Sequence, residues 1–221
     1  MTKGILLAAM DFSAAPEDEF HDWYDLEHIP ERLRVPGFLN GDRWIGADNP
    51  KISVATYDLD NVGVLHSPPY LAIAGENSSP WTKRTAKFRK SLLRYEGEQL
   101  FPGDVTAPRE AAALLVVCMN VAAEHEHEFN EWYNTEHIPQ LGAVPGVLCA
   151  RRYRGTGGTQ RYVALYHLAS LDALRSTEWR KAGDTAWTQK MRPHFRDLIR
   201  FECRRYRRAQ YARCCSPRPP S

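Results

Sequence analysis

Apolar residues fall in short runs of strand length, separated by stretches with helical spacing and clear punctuation. The run ILLAAM at 5–10 is bounded by Asp11, Ser13 and Pro16, and it predicts a strand over 4–12. Pro16 followed by Glu17, Asp18 and Glu19 marks a helix start, because proline suits the first turn and acids suit the positive end of the helix dipole. That helix is predicted to run to about His28. Pro30 lacks an N–H and disfavours helical backbone at Ile29, so a break or kink is expected there. Pro36-Gly37 marks a turn. Residues 38–46 and 51–59 read as a hairpin, 80–93 as a second helix and 94–101 as a last strand. The same order of patterns returns at 113–121, 125–138, 147–154, 160–168, 171–192 and 197–206.

The second set also repeats the residues themselves. EFHDWYDLEHIPERLRVPGFL (19–39) aligns without a gap, at an offset of 109, with EFNEWYNTEHIPQLGAVPGVL (128–148), and twelve of 21 positions are identical. At that offset ILLAAMD (5–11) faces LLVVCMN (114–120), so the apolar start reads as a core strand and not as a leader. Arg43 faces Arg152, and SVATYDL (53–59) faces YVALYHL (162–168). At an offset of 106, WTKRTAKFRKSLLRYE (81–96) faces WTQKMRPHFRDLIRFE (187–202). The chain therefore reads as an internal duplication of a β-α-β-β-α-β unit, which is the ferredoxin-like α+β arrangement. Residues 1–102 form the first repeat, 103–111 a Pro/Gly linker, 112–208 the second repeat and 209–221 a basic, disordered tail. Such units leave sheet edges and one sheet face uncovered. Two copies in one chain are expected to cover both by pairing with each other.

The WYxxEHIPxxxxxPG pattern after a first strand resembles the dimeric α+β-barrel superfamily. Within it the likeness is to EthD-like proteins, where an F-x-x-W/Y-x-x-x-H helix precedes a PG turn. The resemblance implies an intrachain α+β barrel. It also implies a range of activities, since the superfamily includes cofactor-free isomerases, dehydratases, decarboxylases and monooxygenases besides haem enzymes, and fold alone does not select among them.

Composition narrows the setting. Hydrophobic residues make up 43% and charged residues 25%, as in an ordinary globular protein, and no apolar run approaches the ~20 residues of a membrane helix. Five cysteines, all in the second half, without a CxxC, give neither a disulfide framework nor a zinc knuckle. Reduced thiols in a cytoplasmic protein are the expectation. The net charge is +2, but residues 203–221 hold six arginines and no acid, so the remaining chain is net negative. No nucleic-acid or membrane partner is expected; a small-molecule substrate is, and a further homo-oligomer is allowed.

A helical wheel places Glu27 between Phe20 and Trp23, within an aromatic stripe facing the sheet, with His28 at its border. A carboxyl desolvated there has its proton affinity raised and suits proton transfer. Glu136 and His137 repeat the arrangement. The candidate catalytic residues are thus His28, His137, Glu27 and Glu136. Trp23, Tyr24, Trp132, Tyr133, Arg43 and Arg152 are the candidate substrate-binding residues. The structural alternative pairs Glu27 with Arg43, and Glu136 with Arg152, as buried ion pairs locking helix to sheet. His21, which faces Asn130, is a further proton-transfer candidate in the first copy only. His125 and His127 point apart on a helix and no metal site is expected. GTGG (155–158) reads as a hairpin turn. The function expected is a cofactor-independent enzyme performing proton-transfer chemistry (lyase, isomerase, dehydratase or decarboxylase) on a small apolar carbonyl or aromatic compound. A non-catalytic small-molecule binding protein and a cofactor-free aromatic monooxygenase are the alternatives.

Overall fold

The computed structural model describes residues 2–208, so the basic tail expected at 209–221 lies outside the described residues. The first half runs β1 (Gly4–Asp11), α1 (Glu17–Asp22), a π-helical turn (Trp23–His28), α2 (Ile29–Leu33), β2 (Asp42–Gly46), β3 (Ile52–Leu59), α3 (Pro68–Leu71), α4 (Pro80–Thr85) and β4 (Lys90–Phe101). The second runs β5 (Ala113–Val121), α5 (Glu126–Trp132), a π-helical turn (Tyr133–His137), α6 (Ile138–Gly142), β6 (Val147–Gly155), β7 (Tyr162–Leu168), α7 (Thr177–Gly183), α8 (Ala186–Met191) and β8 (Phe195–Arg205). All ladders are antiparallel, and the strands close into one eight-stranded barrel in the order β1-β3-β2-β8-β5-β7-β6-β4. Within the halves the pairings are β4-β1-β3-β2 and β8-β5-β7-β6. β2–β8 and β4–β6 close the barrel between them, which removes the free strand edges.

β1, β5 and β7 read as nearly unbroken apolar runs because both of their faces are buried. Along β5, Leu114, Val116 and Cys118 point into the barrel with Ile5, Leu7 and Ala9 of β1. The alternating residues Ala113, Leu115, Val117 and Met119 face the helices of the second half, as Leu6 and Met10 do in the first. Each large side chain so buried contributes about 1.5–3 kcal/mol.

Three expectations are corrected. The first helix does not break before Pro30. Ile29 stays helical at φ −68°, ψ −50°, with its N–H on the Tyr24 carbonyl, five residues back. The π turn spreads the ring of hydrogen bonds just where Pro30 has no N–H to give, so the helix continues to Leu33. The helix expected over 80–93 stops at Thr85 and β4 starts at Lys90, while the helix expected over 171–192 is two short ones, α7 and α8, separated at Asp184. The connection 103–111 is held by the end of β4. The Gln99 side chain accepts from Gly103 N and Val105 N and donates to the Val105 carbonyl.

A buried ion pair joins the halves beside this connection. Arg151 Nη1 donates to Asp58 Oδ1 at 2.7 Å, with both side chains at most 1% exposed. Asp58 Oδ2 also accepts from Asn40 Nδ2 and from Ala107 N. At offset 109 Asp58 faces His167, which is fully buried against Trp44, and neither ring nitrogen of His167 has a hydrogen-bond partner among the described residues.

Candidate active sites

Each half holds one cavity between its helices and the sheet, and the π turn aims a histidine into each. His28 lines a cavity of about 450 Å³ in the first half, and His137 one of about 270 Å³ in the second. Both rings sit against the same pair of aromatic residues. His28 lies 4.3 Å from Trp23 and 5.2 Å from Tyr24, centroid to centroid. His137 lies 4.3 Å from Trp132 and 5.0 Å from Tyr133. Nδ1 of each ring is buried with no hydrogen-bond partner among the described residues.

A tyrosine from the third strand of each half completes the set. Tyr57 and Tyr166 line the two cavities, and neither phenol oxygen finds a hydrogen-bond partner among the described residues. Burial, with the neighbouring Tyr24 and Tyr133 phenols, pushes both well above 10, so they stay protonated as donors. Burial also takes His28 well below its usual 6.5, helped by Arg32, Arg89 and Arg43. His137 is lowered to about 3, by burial first and then by Arg152 and Arg192. Both imidazoles are therefore neutral at pH 7, with one nitrogen as donor and one as acceptor. Buried polar groups are normally satisfied within a protein; these four have no hydrogen-bond partner among the described residues. Sequence reasoning passed over the tyrosines, although Tyr57 and Tyr166 are identical at the offset of 109 in SVATYDL and YVALYHL.

The carboxylates of the EH pair lie elsewhere. Glu27 accepts from the Ser79 hydroxyl and, at 3.5 Å, from Thr82 Oγ1, and Ser79 caps α4 through Thr82 N. Glu136 accepts from Thr185 Oγ1 at 2.5 Å, and Thr185 caps α8 through Thr188 N. Each Glu thus clamps the π turn to the N-cap of a second helix, which positions the neighbouring histidine. The wheel misplaced Glu27 because it assumed an α-helical phase, whereas the π turn takes in an extra residue after Trp23 and rotates the later positions.

The expected Glu–Arg pairs do not form. Arg43 pairs with Asp25 at 2.8 Å, meets His21 Nδ1 at 2.9 Å and lies over the Tyr24 ring. Arg152 donates to Asn134 and Asn130 and lies over Tyr133. Both arginines are buried and lock helix to sheet, and neither lines a histidine cavity. His21 is held between Arg43 and the stacked Tyr206. Trp132 and Tyr133 line the second cavity. Trp23 and Tyr24 stand behind His28 in the core.

Among the described residues no group of three or more His, Cys, Asp or Glu is placed to hold a metal ion, and no helix is long and apolar enough to cross a membrane. Cys118, Cys149 and Cys203 are free thiols.

No family model matches the sequence. The curated proteins likewise include no match. The fold does match solved structures along nearly its whole length. A proposed monooxygenase from Fusobacterium nucleatum superposes with a TM-score of 0.66 at 9% identity, covering 93% of each chain. An anthrone oxidase-like protein superposes at 0.62 with 10% identity over 92% of each. A heme-binding protein from Thermus thermophilus superposes at 0.55 with 8% identity, covering 93% of this chain and 92% of that one. These likenesses show the fold, a closed eight-stranded α+β barrel. The histidines here do not fit haem ligation. An iron-bound imidazole anchors its second nitrogen on a carbonyl or carboxylate, and Nδ1 of neither cavity histidine has such a partner.

Proposed function

We propose that the protein is an enzyme acting on a small carbonyl or aromatic compound by proton transfer, with one site in each half. The observation that carries the reading is the pairing, twice over, of a neutral histidine with a protonated tyrosine, unpartnered and facing a cavity. The phenol of Tyr57 or Tyr166 donates to a carbonyl or enolate oxygen. The imidazole of His28 or His137 takes or returns the proton on the adjacent carbon. Exclusion of water beside the aromatic wall strengthens both interactions. Glu27 and Glu136 hold the histidine-bearing turns in place. A low proton affinity makes a free imidazole a weak base. Negative charge carried by the substrate, or developing on its carbonyl oxygen as the reaction proceeds, offsets the neighbouring cations and raises that affinity.

The two halves are read as copies of one ferredoxin-like unit, 1–102 and 112–208, joined by 103–111. Their matched sequences and their matching strand pairings support this, as does the EthD-like W-Y-x-x-E-H-I-P turn in each. Free thiols suit a reducing cytoplasm, and a further homo-oligomer is compatible with the closed barrel.

The test is hydrogen exchange and turnover across a panel of small carbonyl acids and ketones in D2O. Wild-type protein should wash deuterium into the acidic C–H position of its substrate. His28→Gln and His137→Gln together should abolish this, because Gln keeps a hydrogen bond but cannot carry the proton. Unchanged turnover in the double variant would refute the assignment. A second reading, cofactor-free oxygenation of an aromatic compound, is favoured at the second cavity alone, whose walls include Trp132, Tyr166, Trp179 and Phe195. Oxygen uptake with a hydroxylated polycyclic substrate, lost in His137→Gln, identifies it. Saturable binding without turnover by either assay identifies a binding protein.

A further inference from the structure

The two cavities have the same framework and opposite electrostatics. At the offsets that align the halves, Leu6, Met10, His28, Tyr57 and Thr82 of the first face Leu115, Met119, His137, Tyr166 and Thr188 of the second. Three lining positions differ in charge. Arg32 faces Leu141 and Arg89 faces Phe195, while Ala86 faces Arg192.

In the second cavity both lining arginines have a carboxylate partner, Arg192 on Asp184 at 3.1 Å and Arg200 on Glu202 at 2.9 Å. In the first, Arg32 is 6% exposed and pairs with Glu31, and Arg94 pairs with Glu96. Arg89 has no carboxylate partner among the described residues. Its Nη1 meets only the Met10 thioether at 3.8 Å, its Nε is buried without a hydrogen-bond partner, and its guanidinium lies 5.0 Å from the Trp23 ring centroid. Lys83 adds a further cation at the rim, and no Asp or Glu of the described residues lines the cavity. A half-buried guanidinium beside a second one, without a counter-charge, is costly unless an anion joins them. The remaining walls, Leu6, Ala8, Met10 and Leu93, are apolar.

We propose that the first cavity binds an organic monoanion, a carboxylate on an apolar or aromatic body, with its charged head on Arg89 and Arg32, while the second takes an uncharged ligand. Planar guanidinium groups match a carboxylate through paired N–H donors, and the body lies along the apolar wall towards His28 and Tyr57. The inference rests on the reading of the cavities as ligand sites and names the substrate class of the first. It also supplies the negative charge that the basicity of His28 requires.

The experiment is calorimetric titration of the full chain with 2-naphthoate and with its uncharged counterpart 2-naphthamide. Wild type should bind naphthoate at least about tenfold more tightly than the amide, and the preference should shrink as salt is raised. Arg32→Leu with Arg89→Phe, which installs the residues of the second half, should reduce naphthoate to the affinity of the amide. Arg89→Gln, which keeps the length and polarity of the side chain, should lose most of the preference. Equal affinity of wild type for the two compounds, no saturable binding of naphthoate at millimolar concentration, or an undiminished preference in the folded variants would overturn the inference. The preference in wild type is measured whether or not the double variant folds. A protein that prefers the anion and turns nothing over would thus overturn the proton-transfer reading alone. Turnover without any charge preference would overturn this inference alone.

Discussion

Replacing Asp58 by alanine strips a buried cation of its counter-charge at the seam between the halves. Arg151 is fully buried, with Nε and Nη2 already lacking hydrogen-bond partners among the described residues. Its Nη1 would be left with only the Val105 carbonyl at 3.1 Å. The same change removes the acceptor for Asn40 Nδ2 at 2.7 Å and for Ala107 N at 2.6 Å. Breaking a buried pair by removing one partner costs about 3–5 kcal/mol. At about 2–4 °C per kcal/mol for a chain of this size, the melting temperature should fall by roughly 6–20 °C. Asp58→Asn, which keeps one acceptor and loses the charge, should fall between Asp58→Ala and wild type. The double variant Asp58→Leu with Arg151→Met should regain most of the loss, because a buried ion pair replaced by apolar groups of similar volume is often neutral or better. Differential scanning calorimetry of the four proteins gives the comparison. A loss below about 1 kcal/mol for Asp58→Ala is the size of an exposed ion pair and would refute the picture of a dry seam, as would a double variant no more stable than the single.

Stability should also fall with pH in a defined window. His28, His137 and His167 are all lowered, by burial first. Unfolded histidine titrates near 6.5, so unfolding takes up protons below that pH. The stability held in the neutral rings is fully present above about pH 6.5 and falls as pH drops, down to about 3 in the case of His137. Each contributes a slope of up to about 1.4 kcal/mol per pH unit. Urea midpoints between pH 7 and 4.5 should show a steep decline that flattens in His137→Gln, and an unchanged slope would contradict the burial of that ring. Thr185→Val removes both the cap of α8 and the donor to Glu136, and should cost about 1–2 kcal/mol in denaturant titration. Tyr57→Phe and Tyr166→Phe should leave the melting temperature within about 1 °C, because neither phenol has a hydrogen-bond partner to lose, while together they reduce turnover at least tenfold.

The order of strands and helices was legible in the sequence, and so was the position of the histidines. Short apolar runs bounded by proline and acid, repeated at an offset of 109, are local signals that survive any tertiary arrangement. They led to the β-α-β-β-α-β order, the resemblance implied the barrel, and the W-Y-x-x-E-H-I-P pattern led to His28 and His137, which do line cavities. Three things were decided by the tertiary structure. The phase of the first helix depends on a π turn that a fixed angular period cannot represent, so Glu27 and Glu136 moved from the aromatic stripe to the caps of α4 and α8. The partners of Arg43 and Arg152 depend on which helix residues overhang β2 and β6, and those are Asp25 and His21 in one half, Asn134 and Asn130 in the other. The charge of each cavity depends on side chains from distant segments, Arg32 from α2 and Arg89 from the turn before β4. In sequence these are two arginines among many. Only folding brings them to one wall and leaves Arg89 there without a carboxylate partner among the described residues, because a charge's worth is set by what else is buried beside it.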